Sequence, residues 1–285
     1  MSTASRSALR RSTSDDELAA VRSYWEAGAC GEDLYLEGTA LEDYEKQAAE
    51  RYRLEPCIAE FADFQNLRGR RVLEIGVGLG ADHRRFAEAG ALLTGIDLTD
   101  RAVQHVRRYL GLRGLTSDLR TGNAERLEFA DETFDLVYSW GVLHHTPDTP
   151  QAIREVRRVL KPGGIAKVMI YHRGSLVGYM LWLRYALAKG RPWTTLTEIY
   201  AQHLESPGTK AYTVEEAREL FRGFEIQDMH TELTHADLLA SAVGQRHRGL
   251  ALSIAHRVWP RWLIRRACRN RGLFLLVVAR KPLRP

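Results

Sequence analysis

The chain has 285 residues, 45% of them hydrophobic and 27% charged, which suits one α/β domain with insertions built on a real core. No run approaches eighteen apolar residues and the three cysteines (Cys30, Cys57, Cys268) lie far apart, so neither a membrane span, a disulfide framework nor a zinc–cysteine cluster is expected, and a reducing cytoplasm fits. The net charge of +5 is uneven: residues 238–285 hold eleven Lys and Arg and no acid, leaving 30 basic against 36 acidic residues elsewhere.

In chain order, residues 1–14 are rich in Ser, Arg and Ala without an apolar signal core and read as a flexible tail. Residues 15–68 read as an N-terminal helical lid. Asp15–Ala27 has helical spacing with acids in its first turn, and 42–64 is a second helical region interrupted by Pro56. Tyr24, Trp25 and Cys30 either cover the sheet or face a ligand.

Residues 69–172 form the core unit. Arg71–Ile75 is an apolar strand, Gly76, Gly78 and Gly80 make a turn, Asp82–Gly90 is helical, and a second strand ends at Asp97. Glycines in such a turn let a ligand approach the backbone closely. The spacing fits two chemistries. Gly76-x-Gly78-x-x-Ala81 with Asp97 matches a dinucleotide fingerprint, in which the acid holds a ribose. Glu74-x-Gly76-x-Gly78-x-Gly80 equally fits a nucleoside-binding turn of another kind.

The downstream pattern separates them. Thr99–Leu110 is a helix capped by Thr99, and 115–122 is a third strand leading to Asn123-Ala124-Glu125. Phe134–Trp140 is a fourth strand, followed by the loop 141–149 with His144 and His145. Gln151–Leu160 is an amphipathic helix stopped by Lys161-Pro162-Gly163-Gly164, and Ile165–Tyr171 is a fifth strand. Strands and helices that alternate in this way predict a parallel sheet covered on both faces.

Taken together, Glu74-x-Gly76-x-Gly78-x-Gly80, Asp97, Asn123-Ala124-Glu125, Phe134–Trp140 and Gly141–His145 followed by Leu160–Gly164 resemble class I S-adenosylmethionine (SAM) methyltransferases of the small-molecule type. The resemblance covers 71–171. It implies a Rossmann-like, seven-stranded doubly wound sheet, with five or six parallel strands and an antiparallel seventh, and SAM as cofactor. It also implies site residues. Glu74, Gly76, Gly78 and Gly80 would shape the site for the amino-acid end of SAM, Asp97 and Leu98 the ribose site. Asn123, Ala124 and Glu125 would meet the adenine, and Ser139, Trp140 and Gly141 the methionine side. Asn123 departs from the commoner Asp, but an amide oxygen still accepts from the adenine amine.

His144 and His145 are the candidate general bases, because His titrates near neutrality. No histidine pair has the H-x-x-x-H ligand spacing, so no metal is expected. Beyond the core, 173–212 reads as an aromatic cap insertion and 213–285 as the last strands, with a basic helical insertion at 230–272. Tyr24, Trp25, His172, Arg257 and Arg261 are candidate substrate contacts. Arg257, Arg261, Arg265 and Arg269 recur every four residues, with Ile254, Val258 and Trp262 beside them. This amphipathic stripe is expected to solvate, to bind an anionic substrate or to rest on an anionic membrane surface through 250–271.

The sequence thus predicts methyl transfer to a small apolar, lipid-like or anionic acceptor, without specific nucleic-acid binding and with a homodimer open. The alternatives are an NAD-dependent oxidoreductase and a non-catalytic SAM-binding subunit.

Overall fold

The computed structural model describes residues 3–240, 257 and 259–283. Its centre is a seven-stranded sheet of β1 (Arg71–Ile75), β2 (Leu92–Asp97), β3 (Asp118–Thr121), β4 (Phe134–Trp140), β5 (Leu160–Tyr171), β6 (Glu225–Glu232) and β7 (Phe274–Arg280), in the order β3-β2-β1-β4-β5-β7-β6. The pairs among β1–β5 are parallel, and β7 runs antiparallel to both β5 and β6. Six strands therefore point one way and the seventh is reversed, as the resemblance implied.

Alternate residues of β1 explain the two layers. Val72 packs on one face with Phe61, Phe86 and Tyr138, while Leu73 and Ile75 pack on the other with Val137, Ile153 and Val156. A central parallel strand is buried on both sides, hence its continuous apolar run. Strand order reverses between β1 and β4, and the crevice above their carboxyl ends is where such a sheet takes a ligand.

Around this sheet lie α1 (Thr3–Ala27), α2 (Glu32–Tyr35), α3 (Leu41–Leu54), α4 (Cys57–Ala62), α5 (Ala81–Glu88), α6 (Asp100–Leu112) and α7 (Thr149–Val159). The cap contributes α8 (Leu176–Tyr185) and α9 (Leu196–His203), and α10 (Val214–Leu220) precedes β6. Thr213 and Glu216 form a reciprocal capping box at the start of α10. No described helix is long and apolar enough to cross a membrane.

Four expectations need correction. The tail expected over 1–14 is, from Thr3, the first half of α1, because its Ala, Leu and Arg favour helix and no Gly or Pro interrupts it. The third strand is only Asp118–Thr121. The fifth strand starts at Leu160 and not at Ile165: Lys161–Gly164, which does follow the end of α7 at Val159, is its bulged beginning, where the pairing with β4 skips from Leu160 to Ile165. The arginine stripe is not continuous. Pro260 stands immediately before the helix Arg261–Ala267, and a proline there cannot extend an earlier helical turn. Cys268 then leaves helical geometry before a 3-10 turn over Arg269–Arg271. Ile254 and Val258 lie outside the described residues.

Candidate active site

The glycine turn joins β1 to α5. Gly76, Gly78 and Gly80 all have positive φ (83°, 50° and 85°), the region where a side chain is strained. The first two serve different ends. A Cβ on Gly76 would stand 2.0 Å from Val142 Cγ2, so this glycine permits close packing of the turn on the loop after β4. A Cβ on Gly78 meets nothing within 4 Å; it would project into open cavity.

Asp97 ends β2 beside the turn. One oxygen accepts from the Thr99 backbone N–H (3.0 Å) and hydroxyl (2.8 Å), and the other accepts from the Gly78 N–H at 3.3 Å. Burial raises its pKa and these bonds oppose the rise. Below it, Glu74 and His83 form a buried pair at 2.7 Å, and the other His83 nitrogen meets the Ser117 hydroxyl at 2.7 Å. Burial pushes Glu74 up and His83 down to about 3, so the pair is held neutral around one shared proton.

The lid supplies a polar stripe that sequence reasoning missed. Gln47, Arg51 and Glu55 lie four residues apart on α3 and its C-cap, and all three border the cavity above the turn. Arg51 donates to Asp82 at 2.8 Å; Asp82 also accepts from Tyr52 (2.8 Å) and Tyr138 (3.0 Å). Gln47 Oε1 is buried without a partner. Burial lifts Glu55 to about 7, opposed by Arg51 and by a hydrogen bond with the Trp140 side chain. The i, i+4, i+8 spacing was the signal available in the sequence.

This first cavity, about 230 Å³, is bordered by Glu74, Gly76, Gly78, Gly80, Asp97, Leu98, Asn123, Ala124, Trp140, Gly141 and His145, which the structure therefore brings together. Other predicted residues point elsewhere. Ser139 is fully buried, donating to the Ile75 carbonyl at 3.2 Å. The Glu125 carboxylate is turned to the start of α7, accepting from the Asp148 N–H at 2.6 Å. His144 is fully buried and borders neither cavity, and burial drives its pKa well below the usual histidine range; it cannot meet a substrate directly.

A second cavity of about 670 Å³ adjoins the first and is mostly apolar, with Tyr24, Tyr35, Met180, Leu181, Leu204 and Leu273 in its walls. Trp25, Cys30, Glu55, Tyr171, Glu205 and Phe274 border both cavities. Cys30, an exposed free cysteine, stands at this shared border beside Glu205. Of the remaining candidates, His172 is buried outside both cavities, with Nδ1 donating to the Gly272 carbonyl at 3.1 Å. Arg257 is exposed and lines neither cavity. Arg261 is used structurally, donating to the carbonyls of Leu238 and Leu239 at 3.0 and 2.7 Å.

Comparison with known proteins gives a methyltransferase domain matched over residues 73–168. A ubiquinone biosynthesis O-methyltransferase of Actinobacillus pleuropneumoniae serotype 7 is 30% identical over 165 residues, covering 51% of this chain and 69% of that one. A sterol 24-C-methyltransferase of Gibberella zeae is 29% identical over 166 residues, covering 55% of this chain and 43% of the relative. The chain spans only about half the length of several curated relatives that it matches. Among solved structures, a SAM-dependent methyltransferase from Methanosarcina mazei superposes with a TM-score of 0.54 at 19% identity, over 79% of this chain and 98% of that one, a likeness of fold.

Proposed function

The chain belongs to the class I SAM-dependent methyltransferases, and we propose that it moves the methyl group of SAM to a small, largely apolar acceptor held in the larger cavity. The observation that carries this reading is the wall the two cavities share. A cofactor lying along the glycine turn and an acceptor in the apolar chamber meet there, between Trp25, Glu55, Tyr171 and Glu205.

The residues present fit SAM. Gly78 leaves room where a Cβ would stand, and Asp97 offers a half-buried carboxylate for ribose hydroxyls. The unpartnered Oε1 of Gln47, one turn from the Arg51 guanidinium, suits an ammonium beside a carboxylate. Asn123 and Ala124 stand at the expected adenine end, and Trp140 and Gly141 at the methionine side. When bound, SAM supplies an electrophilic methyl on a sulfonium centre.

What the chain adds is placement, dryness and a proton acceptor. In-line displacement needs the nucleophile about 3–3.5 Å from the methyl carbon, and closure of α1 through Trp25 over the junction excludes water. Trp25 packs edge-on against His145 with ring centroids 5.4 Å apart, which fixes both at the meeting point. Glu55, lifted to about 7, is suited to take a proton from a hydroxyl as it is methylated, or from an ammonium before its nitrogen attacks the methyl. His145 remains the second candidate, since it borders the cofactor cavity.

The relatives are named for ubiquinone biosynthesis and sterol methylation, which involve apolar acceptors, and the aromatic chamber supports the same class here. A peripheral contact with anionic lipid is part of this proposal: Trp262 is 73% exposed on the short helix that also bears Arg265 and Arg266. Homodimerisation is supported by the exposed Tyr179, Leu183 and Leu187 of the cap.

The test uses SAM with a labelled methyl group, incubated with the protein and an extract of the source cells. Label in organic-soluble small molecules is the expected result. Label only in macromolecules would overturn the small-molecule reading.

A further inference from the structure

Buried polar atoms without partners are few in a native protein, and a concentration of them calls for a cause such as a bound ion. Among the described residues, both ring nitrogens of His144 and Nε2 of His145 fall in this class, and they lie side by side, with ring centroids 4.3 Å apart. Opposite them, from a segment sixty residues later, comes Glu205. Its Oε2 is 3.2 Å from His145 Nε2 without forming a hydrogen bond to it.

We propose that His144, His145 and Glu205 form a binding site for a divalent transition-metal ion such as zinc, set in the wall between the two cavities. Donor atoms of the three residues all lie within 4.8 Å of one another. Two donors about 2.0–2.1 Å from a common zinc are themselves roughly 3.3 Å apart, the spacing already present between His145 and Glu205. Closing His144 onto the same ion requires its donor, up to 4.8 Å from the others, to move in towards that spacing.

The surrounding contacts favour ligation. The Thr209 hydroxyl donates to the Ser206 carbonyl at 2.7 Å, so its oxygen is free to accept from His145 Nδ1 at 3.1 Å, and the Ser206 hydroxyl lies 2.8 Å from the same nitrogen. Nδ1 as the donor leaves an Nε2 lone pair directed at a carboxylate. That arrangement is repulsive with nothing between them and attractive around a cation. Outer partners that fix a histidine's tautomer in this way are the usual support of a metal ligand. Tyr171 donates to Glu205 Oε2 at 2.8 Å and orients the carboxylate from the β5 side. Lys210, the nearby cation, is engaged with the Thr146 carbonyl at 2.8 Å.

His145 and Glu205 both border the cofactor cavity, and Glu205 borders the acceptor cavity too, so an open coordination position faces the junction. The site stands on its own geometry. Its use rests on the methyl-transfer reading: an ion there would hold an acceptor oxygen or sulfur and make it more acidic.

The experiment titrates Co²⁺, followed by its visible absorption and by Zn²⁺ competition, into protein stripped with chelator, in the wild type and in Glu205→Gln and His145→Gln. Thermal melting and circular dichroism on the same samples establish folding, and SAM binding is measured on the wild type. One equivalent of Co²⁺ displaced by Zn²⁺, with affinity at least tenfold weaker in each folded variant, is the expected result. No uptake by the wild type, or equal uptake in a folded variant, would overturn the site. Protein that binds SAM but no metal refutes the site alone; protein that binds metal but no SAM refutes the methyl-transfer reading and leaves the site standing.

Discussion

Arg51 on the lid helix α3 and Asp82 in the first turn of α5 are joined at 2.8 Å, so the same guanidinium that borders the cofactor cavity also fastens the lid to the nucleotide-binding core. Asp82 is nearly sealed from solvent. Breaking one side of a buried pair leaves an uncompensated charge, at a cost on the order of 3 kcal/mol. Here Tyr52 and Tyr138 still donate to Asp82 and reduce that cost. Arg51→Met is therefore expected to lower stability by about 2 kcal/mol in urea unfolding, and to weaken SAM binding by at least tenfold in calorimetry.

Two glycines of one turn should fail in different ways. Gly76→Ala combines left-handed strain with a clash against Val142, and is expected to cost about 2–4 kcal/mol in thermal or urea unfolding. Gly78→Ala carries only the strain, about 1–2 kcal/mol, because its Cβ enters open space. That space is the cofactor's, so Gly78→Ala should lose SAM affinity out of proportion to stability. Equal losses of both quantities in the two variants would contradict the assignment.

Glu55 gives a pH signature of definite sign. Its carboxyl rises from 4.5 to about 7 in the folded protein, so folding favours the protonated form. The resulting stabilisation is fully present below pH 4.5 and is lost as pH rises through 7. Glu55→Gln should thus be more stable than wild type at pH 8, measured relative to their difference at pH 4. Methyl transfer should rise with pH around 7 in the wild type and lose that inflection in the variant.

The neutral Glu74–His83 pair predicts a separate effect. Folding lowers the His83 pKa from 6.5 to about 3, and that contribution to stability is present above pH 6.5 and lost as pH falls towards 3. His83→Phe leaves the Glu74 carboxyl without its partner and should cost about 1–3 kcal/mol at pH 7. Folding also raises Glu74, whose contribution is lost as pH rises above 4.5, so the two titrations oppose each other in the wild type between pH 4.5 and 6.5; His83→Phe leaves the Glu74 part alone, and its unfolding free energy should fall more steeply with rising pH across that window.

The sheet and the cofactor edge were legible because they are local: glycine spacing sets the turn, and strand-end residues such as Asp97 and Trp140 follow from strand boundaries. Ser139 and Glu125 were misplaced by a single step of direction, since a strand alternates its side chains and a turn can aim a carboxylate at the next helix instead of the cavity. His144 and His145 are neighbours in sequence, yet one is sealed and the other borders the cavity. Glu205 and Tyr171 were not visible as partners, because they stand 34 positions apart in sequence, on opposite sides of most of the cap. The arginine stripe failed on Pro260, whose effect outweighs the four-residue period.

The most direct test of the account is calorimetric titration of the purified protein with SAM and, separately, with NAD, repeated on Asp97→Ala. One-site binding of SAM, no measurable binding of NAD, and a loss of SAM affinity by tens-fold in the variant are the predicted results. Binding of NAD in preference to SAM, with dependence on Asp97, would return the glycine turn to dinucleotide chemistry and contradict the methyltransferase reading.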